Sequence, residues 1–439
     1  MRGAMILLSL LSATVIVSCK PQDKGLFGAR RSGHEKYGDR IKEAGLDKTK
    51  LGSLWFFAAG KSIAQPLSVT LPYHETGYFA ADEPSAAGLI FNARRGDRLM
   101  VTVSLVPENI SLFFVELWQY AENAEDAKFL ASADSAMRIS HDIEKDGRYI
   151  VRLQPELLQG IQYDVTITTG PSLAFPVDAS GNPKVISVWD DPRDGGVRSH
   201  EGVDIGAKFR TPAVAPADGY IRNVSVNRLG GNVVFMRPKG KNYTLYYAHL
   251  DTQIVRDCDE VKTGQVIGLV GNTGNAIHTP PHLHFGIYTS GGAVDPLPFI
   301  DRYRGEPAKL TANTSYLQKW VRASVNANVR AGANGKDSIL FTIKDGDAVK
   351  VGGAAGVWYK IRLPDGRQGY ISSSLVTDKR LNQISADSLT KLFDHPSLLA
   401  ASKKDVPEKS KLLGIGKFNE FFLVSYGNEM GWIAQDELQ

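Results

Sequence analysis

Cysteine is scarce in this 439-residue sequence, which contains only Cys19 and Cys258. Two thiols form at most one disulfide and cannot supply a zinc cluster of several thiolates, so a disulfide-rich scaffold is excluded. Runs of one charge are also absent, because no stretch of consecutive Lys and Arg reaches five residues and the formal net charge is +4. The composition therefore gives no sign of a nucleic-acid partner.

Long hydrophobic runs are missing as well. The most apolar segment, residues 4–17, contains about 14 residues, which is shorter than the ~20 needed to cross a bilayer. It follows Arg2 and precedes Cys19, an order typical of a signal peptide. Residues 16–19, Ile-Val-Ser-Cys, resemble the lipobox of bacterial lipoproteins, in which the chain is cut before the cysteine and that cysteine carries lipid.

The lipobox resemblance predicts an exported protein with a signal peptide at residues 1–19 and a lipid on Cys19 as its membrane contact. An ordinary secretory signal with a chance cysteine is the alternative, and it predicts export too. Asp after the lipidated cysteine often signals inner-membrane retention, but Lys20 stands here. We therefore expect a lipid anchor in the outer membrane facing the periplasm. Cys258 would then remain a lone thiol.

Hydrophobic residues make up 43% of the chain, and its length suggests about three domains with cores of their own. Residues 20–64 combine a polar tether with a short helical region. Beyond them, hydrophobic residues alternate in short runs that Gly, Asp and Asn separate, a pattern typical of strands. The sequence predicts a mainly β protein in which residues 65–175 form an antiparallel β-sandwich.

The C-terminal part contains a weak repeat, in which an aromatic-rich strand leads to Gly, an aromatic residue and Ile at residues 369–371 and again at 431–433. Residues 325–332 and 369–371 resemble the opening and closing strands of bacterial SH3-like domains. We predict an SH3-like β-barrel at 317–379 and a divergent second one at 385–439. In that family such modules commonly bind cell-wall peptides or pack against a catalytic domain, and an inert spacer is the alternative.

Histidine is concentrated in one segment of the chain. Because histidine is the commonest metal ligand and the usual general base near neutral pH, this concentration marks a candidate site. Positions two apart on a strand share a face, as do His200 and Asp204 if their segment is extended. Spacing alone leaves a zinc site and a set of surface histidines equally open. Five of the nine histidines lie here: His200, His249, His278, His282 and His284.

Five short motifs occupy the same segment. They are Gly-Val-Asp-Ile at 202–205, Tyr-Ala-His-Leu at 247–250, Gly-Gln-Val-Ile-Gly at 264–268, Gly-Asn-Thr-Gly at 271–274 and Pro-His-Leu-His-Phe at 281–285. In order and approximate spacing they resemble the LytM/lysostaphin-type zinc endopeptidases, which cut peptidoglycan peptides. The resemblance implies a peptidase domain at 176–305, built on an antiparallel sheet whose groove holds one Zn²⁺.

The resemblance also implies a role for each matching residue. His200, Asp204 and His284 would be the zinc ligands, with a zinc-activated water completing the site. His249 and His282 would act as general base and oxyanion stabiliser, in either order. Because all five positions are filled, we expect an endopeptidase that hydrolyses the peptide cross-links of bacterial peptidoglycan.

Two other functions stay open at this point. Some relatives with this fold have lost zinc ligands and activate other wall hydrolases, and a scaffold could bind the wall through the SH3-like repeats alone. We expect peptidoglycan peptides as the substrate, the membrane as a contact through Cys19, and other envelope proteins as further partners. The predicted outer-membrane anchor favours the D-Ala to diaminopimelate cross-link over a glycine bridge, since walls of such bacteria usually lack glycine bridges.

Overall fold

The computed structural model describes residues 31–108, 112–302, 305–381 and 383–438. The predicted signal peptide, its Cys19 and the start of the tether lie outside the described residues. Within the described ranges, no helix has the length and apolar content needed to cross a bilayer. The described chain is mainly β, which confirms the predicted fold class.

Two helices precede the first sheet, α1 (Gly33–Glu43) and α2 (Lys50–Ala64). The first begins with a capping box, in which the Ser32 hydroxyl accepts from the Glu35 amide while the Glu35 carboxylate accepts from the Ser32 amide. The second buries Trp55, whose indole N–H donates to a strand carbonyl at 2.9 Å. This bond and the burial of the ring hold the helices against the sheet that follows.

Two facing sheets follow the helices. Leu89 and Leu117 from one sheet and Val101 and Val165 from the other are fully buried between them, so the apolar faces of the strands form one core. The strands are β1 (Leu67–Ser68), β2 (Tyr73–Phe79), β3 (Ala87–Ala93), β4 (Asp97–Val106), β5 (Phe113–Gln119), β6 (Lys128–Ser132), β7 (Arg138–Asp142), β8 (Gly147–Pro155) and β9 (Ile161–Pro171). One sheet has the order β1-β3-β8-β5-β6, and β2, β9, β4 and β7 lie side by side in the other.

A ten-stranded sheet forms the middle of the chain. Its elements, with a short hairpin beside it, are β10 (Lys184–Ser187), β11 (Pro192–Arg193), β12 (Arg198–Ser199), β13 (Val203–Gly206), β14 (Pro212–Val214), β15 (Gly219–Asn227), β16 (Gly231–Pro238), β17 (Tyr243–Gln253), β18 (Glu260–Val261), β19 (Val266–Val270), β20 (His282–Thr289), β21 (Gly292–Val294) and helix α3 (Leu297–Ile300). The central order is β10-β13-β20-β17-β16-β15-β18. Strands β13, β20 and β17 are therefore neighbours, although they lie far apart in sequence.

The C-terminal strands fall into two groups. The first comprises β22 (Trp320–Ala323), β23 (Ala327–Arg330), β24 (Ile339–Ile343), β25 (Ala348–Ala355), β26 (Trp358–Arg362), β27 (Gln368–Ser372) and β28 (Val376–Thr377). The second comprises β29 (Gln383–Ser385), β30 (Thr390–Phe393), β31 (Ser402–Val406), β32 (Lys411–Phe418), β33 (Phe421–Tyr426) and β34 (Glu429–Ala434). Val321 of the first group and Phe418 and Trp432 of the second belong to one hydrophobic cluster, so the two groups share part of a core.

The first C-terminal group is continuous with the sandwich. Strand β25 pairs with β2, where Thr76 stands opposite Ala354 and Gly77 opposite Gly353, and the result is one eleven-stranded sheet. The second group forms a sheet of six strands. The motifs in the sequence carry no signal of this edge pairing, because the two strands meet across more than 250 intervening residues.

A charged cluster is buried where the sandwich meets the first C-terminal group. The fully buried Glu75 carboxylate accepts the hydroxyls of Tyr73 and Tyr163 at 2.6 Å and of Tyr370 at 3.1 Å, and also binds the Lys360 ammonium. Burial alone would raise the pKa of Glu75, but the Lys360 charge and these hydrogen bonds hold it below its usual value. We call these five residues the Glu75 cluster.

Candidate metal centre

Alternation along two neighbouring strands sets the direction of the candidate side chains. Val203 and Ile205 are fully buried in the core, which turns Asp204 between them to the opposite face of β13. In the same way, burial of Leu283 places the flanking histidines of β20 on the opposite face. Asp204 stands directly opposite His284 in the register of the two strands.

Three side chains converge at this point of the sheet. His200 Nε2, Asp204 Oδ1 and His284 Nδ1 form a triangle in which each pair of atoms is 3.0 Å apart. His200 lies just before β13 rather than on a continuous strand with Asp204, so the extended segment inferred from the sequence covers only part of this pair. Its imidazole is nevertheless buried and reaches both other ligand-type atoms.

The hydrogen positions imposed by the surroundings favour a metal at this triangle. His200 Nδ1 lies 2.8 Å from the carbonyl oxygen of Val188, which can only accept, so Nδ1 carries the hydrogen and Nε2 presents a lone pair. Burial lowers the pKa of His284, which keeps that imidazole neutral.

The triangle also has the dimensions of a zinc site. Two imidazole nitrogens and one carboxylate oxygen are a common ligand set for Zn²⁺. In a tetrahedral site with bonds of about 2.0–2.1 Å, neighbouring ligand atoms lie roughly 3.3 Å apart, which is near the 3.0 Å found here. His200, Asp204 and His284 therefore fit a zinc ion.

Arg193 holds the other carboxylate oxygen of Asp204. Its Nη2 donates to Asp204 Oδ2 at 2.7 Å and to Ser187 Oγ at 2.6 Å, and Ser187 in turn donates to Asp191 Oδ2 at 2.6 Å. Asp204 Oδ1 is thereby directed at the two histidines, in the manner of the outer partners that orient metal-binding carboxylates. Arg193 and Ser187 were not predicted from the sequence, because no motif in that stretch distinguishes them from other polar residues.

His249 and His282 lie beside the triangle as a second pair. Their ring centroids are 5.0 Å apart, and the His249 ring is 6.0 Å from that of His284. His249 Nδ1 lies 2.8 Å from the Thr273 carbonyl oxygen and His282 Nδ1 lies 2.9 Å from that of Pro280. In each neutral ring Nδ1 therefore carries the hydrogen, and Nε2 is left as a proton acceptor.

The backbone at His249 is strained in a way that aims its side chain. His249 has φ of 61°, in the left-handed region that non-glycine residues rarely adopt. The register between β16 and β17 shifts at this point, since Val234 pairs with Tyr247 but Asn232 pairs with Leu250. Such a bulge redirects one side chain. Burial also lowers the pKa of His249 to about 4, so its imidazole is neutral near pH 7.

Two motif glycines are required by close approach rather than by chemistry. A Cβ on Gly202 would lie 2.6 Å from Cε1 of His284, so any side chain there would displace a ligand ring. Gly274 has φ of 72°, and a Cβ on it would lie 2.3 Å from the amide nitrogen of Gly231. This close contact positions the neighbouring Thr273, whose carbonyl oxygen fixes His249.

The remaining candidates stay apart from the cluster. His278 is exposed on the loop that precedes β20. Cys258 is an exposed free thiol. The predicted lipidation site, Cys19, lies outside the described residues. His34 is buried against Trp55 and bonds to Gln154 at 2.7 Å, so it is a structural histidine.

Two family models match parts of this chain. Residues 198–296 match Peptidase family M23, and residues 325–377 match the Bacterial SH3 domain. These matches confirm the two resemblances inferred from the motifs. Members of Peptidase family M23 are zinc metallopeptidases, which agrees with the ligand set described above.

The chain is similar to curated endopeptidases and to a hydrolase activator. The chain is 34% identical over 151 residues to an L-Ala–D-Glu endopeptidase of Bacillus subtilis, covering 31% of this chain and 46% of the relative. It is 35% identical over 115 residues to the peptidoglycan DD-endopeptidase ShyC of Vibrio cholerae, covering 26% of this chain and 25% of the relative. It is also 32% identical over 152 residues to the murein hydrolase activator NlpD of Salmonella dublin, covering 31% of this chain and 39% of the relative.

These similarities concern one part of the molecule. The matched segments span less than half the length of each of these curated relatives. Among solved structures, the catalytic domain of lysostaphin from Staphylococcus simulans is 32% identical, with a TM-score of 0.25, and the match covers 27% of this chain and 92% of that domain.

Proposed function

We propose that this protein is a zinc-dependent endopeptidase that hydrolyses the peptide cross-links of bacterial peptidoglycan. The observation that carries the proposal is the triangle of His200, Asp204 and His284 with the pair of His249 and His282 beside it. A site that served only to hold a structural metal would have no need of two further histidines with free Nε2 atoms. The resemblance to peptidoglycan endopeptidases supports the same function.

His200 Nε2, Asp204 Oδ1 and His284 Nδ1 would hold the zinc ion. When bound, zinc polarises the scissile carbonyl and makes water acidic enough to yield a nucleophile near neutral pH. Arg193 keeps Asp204 Oδ2 engaged, so that this carboxylate offers a single oxygen to the site. His200 is buried, whereas the Asp204 and His284 side chains are 14% and 15% exposed, so the site is reached from solvent on their side.

The tautomers define what the second pair can do. Both His249 and His282 donate from Nδ1 to a carbonyl, so a neutral ring can accept a proton at Nε2 but cannot donate one there. The first ring to take a proton from water becomes a donor at Nε2. It can then stabilise the oxyanion or deliver the proton to the leaving amine.

We further propose the D-Ala to diaminopimelate cross-link as the bond that is cut. This assignment rests on the predicted outer-membrane anchor at Cys19 and is supported by the similarity to a peptidoglycan DD-endopeptidase. In this proposal residues 65–175, 317–379 and 385–439 position the peptidase domain relative to the wall, and the lipid tethers it to the envelope.

A noncatalytic activator of other wall hydrolases is the second candidate. The similarity to the murein hydrolase activator NlpD favours it. It predicts that the protein stimulates another hydrolase without cleaving peptide bonds itself. The complete set of three ligand residues and two histidines supports the catalytic function instead.

Zinc content and cleavage together separate the two functions. Purified wild type should contain about one zinc per chain, and His284→Ala should lose most of it, as measured by atomic emission. His249→Ala should retain zinc but lose 10²–10⁴-fold in the rate of wall digestion, with the exposed His278→Ala as matched control. A wild type that never binds zinc, or a His249→Ala variant of full activity, would overturn the proposal.

A further inference from the structure

We propose that a cavity between the sandwich and the peptidase sheet binds a carboxylate of the peptidoglycan stem peptide. The cavity has a volume of about 430 Å³ and is lined by residues of both domains. Arg94, Arg95 and Lys145 come from two turns of the sandwich, and Trp189 and Asp295 come from the peptidase side. The inference rests on the proposed function and adds a substrate subsite to it.

One wall of the cavity is connected through the backbone to a residue of the triangle. Trp189, which forms part of its wall, stands between two residues that bind His200 directly. Val188 accepts from His200 Nδ1 at 2.8 Å, and the Asp190 amide donates to the His200 carbonyl at 3.0 Å. The cavity wall is therefore one residue away from two backbone contacts of a proposed zinc ligand.

The charge available in the cavity is positive. Within the described parts of the chain, the side chains of Arg94 and Lys145 make no hydrogen bond or ion pair, and both residues are exposed. The lining holds three cationic side chains against two carboxylates, Asp146 and Asp295, which accept from the Arg95 amide at 2.7 Å and the Leu297 amide at 2.9 Å. This excess of positive charge, with Arg94 and Lys145 unpaired, is suited to an anionic ligand.

The two walls of the cavity are held in place relative to each other. The Leu173 amide donates to the Phe299 carbonyl at 2.9 Å, and a Cβ on Gly96 would lie 2.4 Å from the Phe299 ring, so the turn carrying Arg94 packs tightly on α3. Lys241 of the peptidase sheet pairs with Asp142 of the sandwich at 2.5 Å. The cations are thus presented by a fixed junction between domains, which is a common location for ligand sites.

The chemistry of the cavity fits a stem peptide. Such peptides carry free carboxylates between short aliphatic groups, and they end in carboxylates as well. Arg and Lys bind carboxylates by charge-assisted hydrogen bonds, and the indole of Trp189 offers an apolar face for the aliphatic parts. The ligand we infer is therefore an acidic peptide segment, with its carboxylate between Arg94 and Lys145.

The test compares substrates with and without that charge. The double variant Arg94→Gln with Lys145→Gln should raise KM for a soluble cross-linked muropeptide about tenfold with little change in kcat, because two exposed cations are lost. The same muropeptide with amidated carboxylates should be cleaved by wild type and double variant alike. Arg138→Gln, an exposed arginine of the sandwich outside the cavity, serves as the control.

Failure of the carboxylate subsite and failure of the proposed function give different results. Equal KM values for wild type and double variant on the free-acid muropeptide would overturn the subsite while the hydrolysis itself upholds the proposed function. If wild type cleaves neither muropeptide, the proposed function fails. The subsite is then tested by calorimetric binding of the free-acid muropeptide, which the double variant must weaken by about the same factor.

Discussion

The metal triangle and the Glu75 cluster are both groups of ionisable side chains gathered by β-strands, yet they are built for opposite purposes. In the Glu75 cluster the carboxylate receives three hydroxyls and one ammonium, and Glu75 is fully buried. In the triangle, three atoms that are all suited to donating lone pairs face one another at 3.0 Å, and the Asp204 and His284 side chains are 14% and 15% exposed.

The difference lies in how the charges are balanced. Lys360 and the tyrosines supply every hydrogen that the Glu75 carboxylate can accept, so the cluster needs no further partner. The triangle has lone pairs in excess and is partly exposed to solvent, so a cation would complete it. A concentration of ionisable residues therefore does not by itself indicate a functional site. What distinguishes the two clusters is the match between hydrogen donors and acceptors.

The largest effect on stability is expected from removing the charge at the centre of the Glu75 cluster. Glu75→Gln leaves the Lys360 ammonium buried without its counter-charge, and we expect a loss of about 3–5 kcal/mol in the free energy of unfolding. Zinc content should be unchanged below the melting transition. Urea unfolding gives the measurement.

Glu83→Gln is the matched control, because Glu83 pairs with Lys350 and Arg362 across the same junction but is 38% exposed. Glu83→Gln should lower the free energy of unfolding by less than about 1 kcal/mol. If Glu75→Gln lowers the free energy of unfolding no more than Glu83→Gln does, the Glu75 cluster does not stabilise the junction. Adding Lys360→Met to Glu75→Gln should recover much of the loss, since the pair is then removed together.

A smaller effect, on zinc affinity, is expected from removing the arginine that holds Asp204 of the triangle. Arg193→Gln frees Asp204 Oδ2, and we expect zinc affinity to fall 10–100-fold, as is typical when an outer partner of a metal ligand is lost. Competition with a chelator measures the affinity. The absorption spectrum of the Co²⁺-substituted protein should change too, because it reports the ligand geometry directly.

Two variants sharpen this result. Arg193→Lys should restore most of the affinity, since one ammonium can donate to both Asp204 and Ser187 as the single Nη2 does now. Arg210→Gln, at an exposed arginine of the same domain, should leave the affinity unchanged. Equal zinc affinity in Arg193→Gln and Arg210→Gln would show that Arg193 does not orient the ligand.

The smallest effect concerns a histidine that belongs to neither cluster. Burial first, and then the charge of Arg152, lowers the pKa of His34 from 6.5 to about 4. The unfolded chain therefore binds the proton more readily than the folded chain. The contribution of neutral His34 to the free energy of unfolding is fully present above pH 6.5 and is lost as the pH falls towards 4. The free energy of unfolding should fall by at most about 2 kcal/mol between pH 7 and pH 5 because of His34.

His34→Gln should flatten this part of the pH profile of stability, measured as urea midpoints at pH 7 and pH 5. The exposed His395→Gln is its control. An unchanged slope in His34→Gln would contradict the assignment of the proton to His34.

The candidate site could be predicted from the sequence, whereas the way the domains assemble around it could not. Alternation along β13 and β20 and the five motifs predicted that Asp204, His282 and His284 would lie together, because strand periodicity and short motifs are local signals. Arg193 was missed, since a lone arginine in an irregular stretch has no periodic context.

The Glu75 cluster was missed for a different reason. Glu75 and Lys360 are 285 positions apart, and they meet only because β2 and β25 pair at their edges. Each side chain alone resembles an ordinary charged residue on a strand. A pairing of this kind depends on how folded domains dock, and hydrophobic alternation within each domain does not specify it.

The central claim is that the open cluster, completed by zinc, cleaves cross-links of the wall. The most direct measurement is mass analysis of the muropeptides released when purified peptidoglycan is digested with the zinc-loaded protein. We predict that cross-linked dimers fall and monomers rise, and that a chelator or His249→Ala abolishes the change. Identical muropeptide profiles with and without zinc would contradict the account.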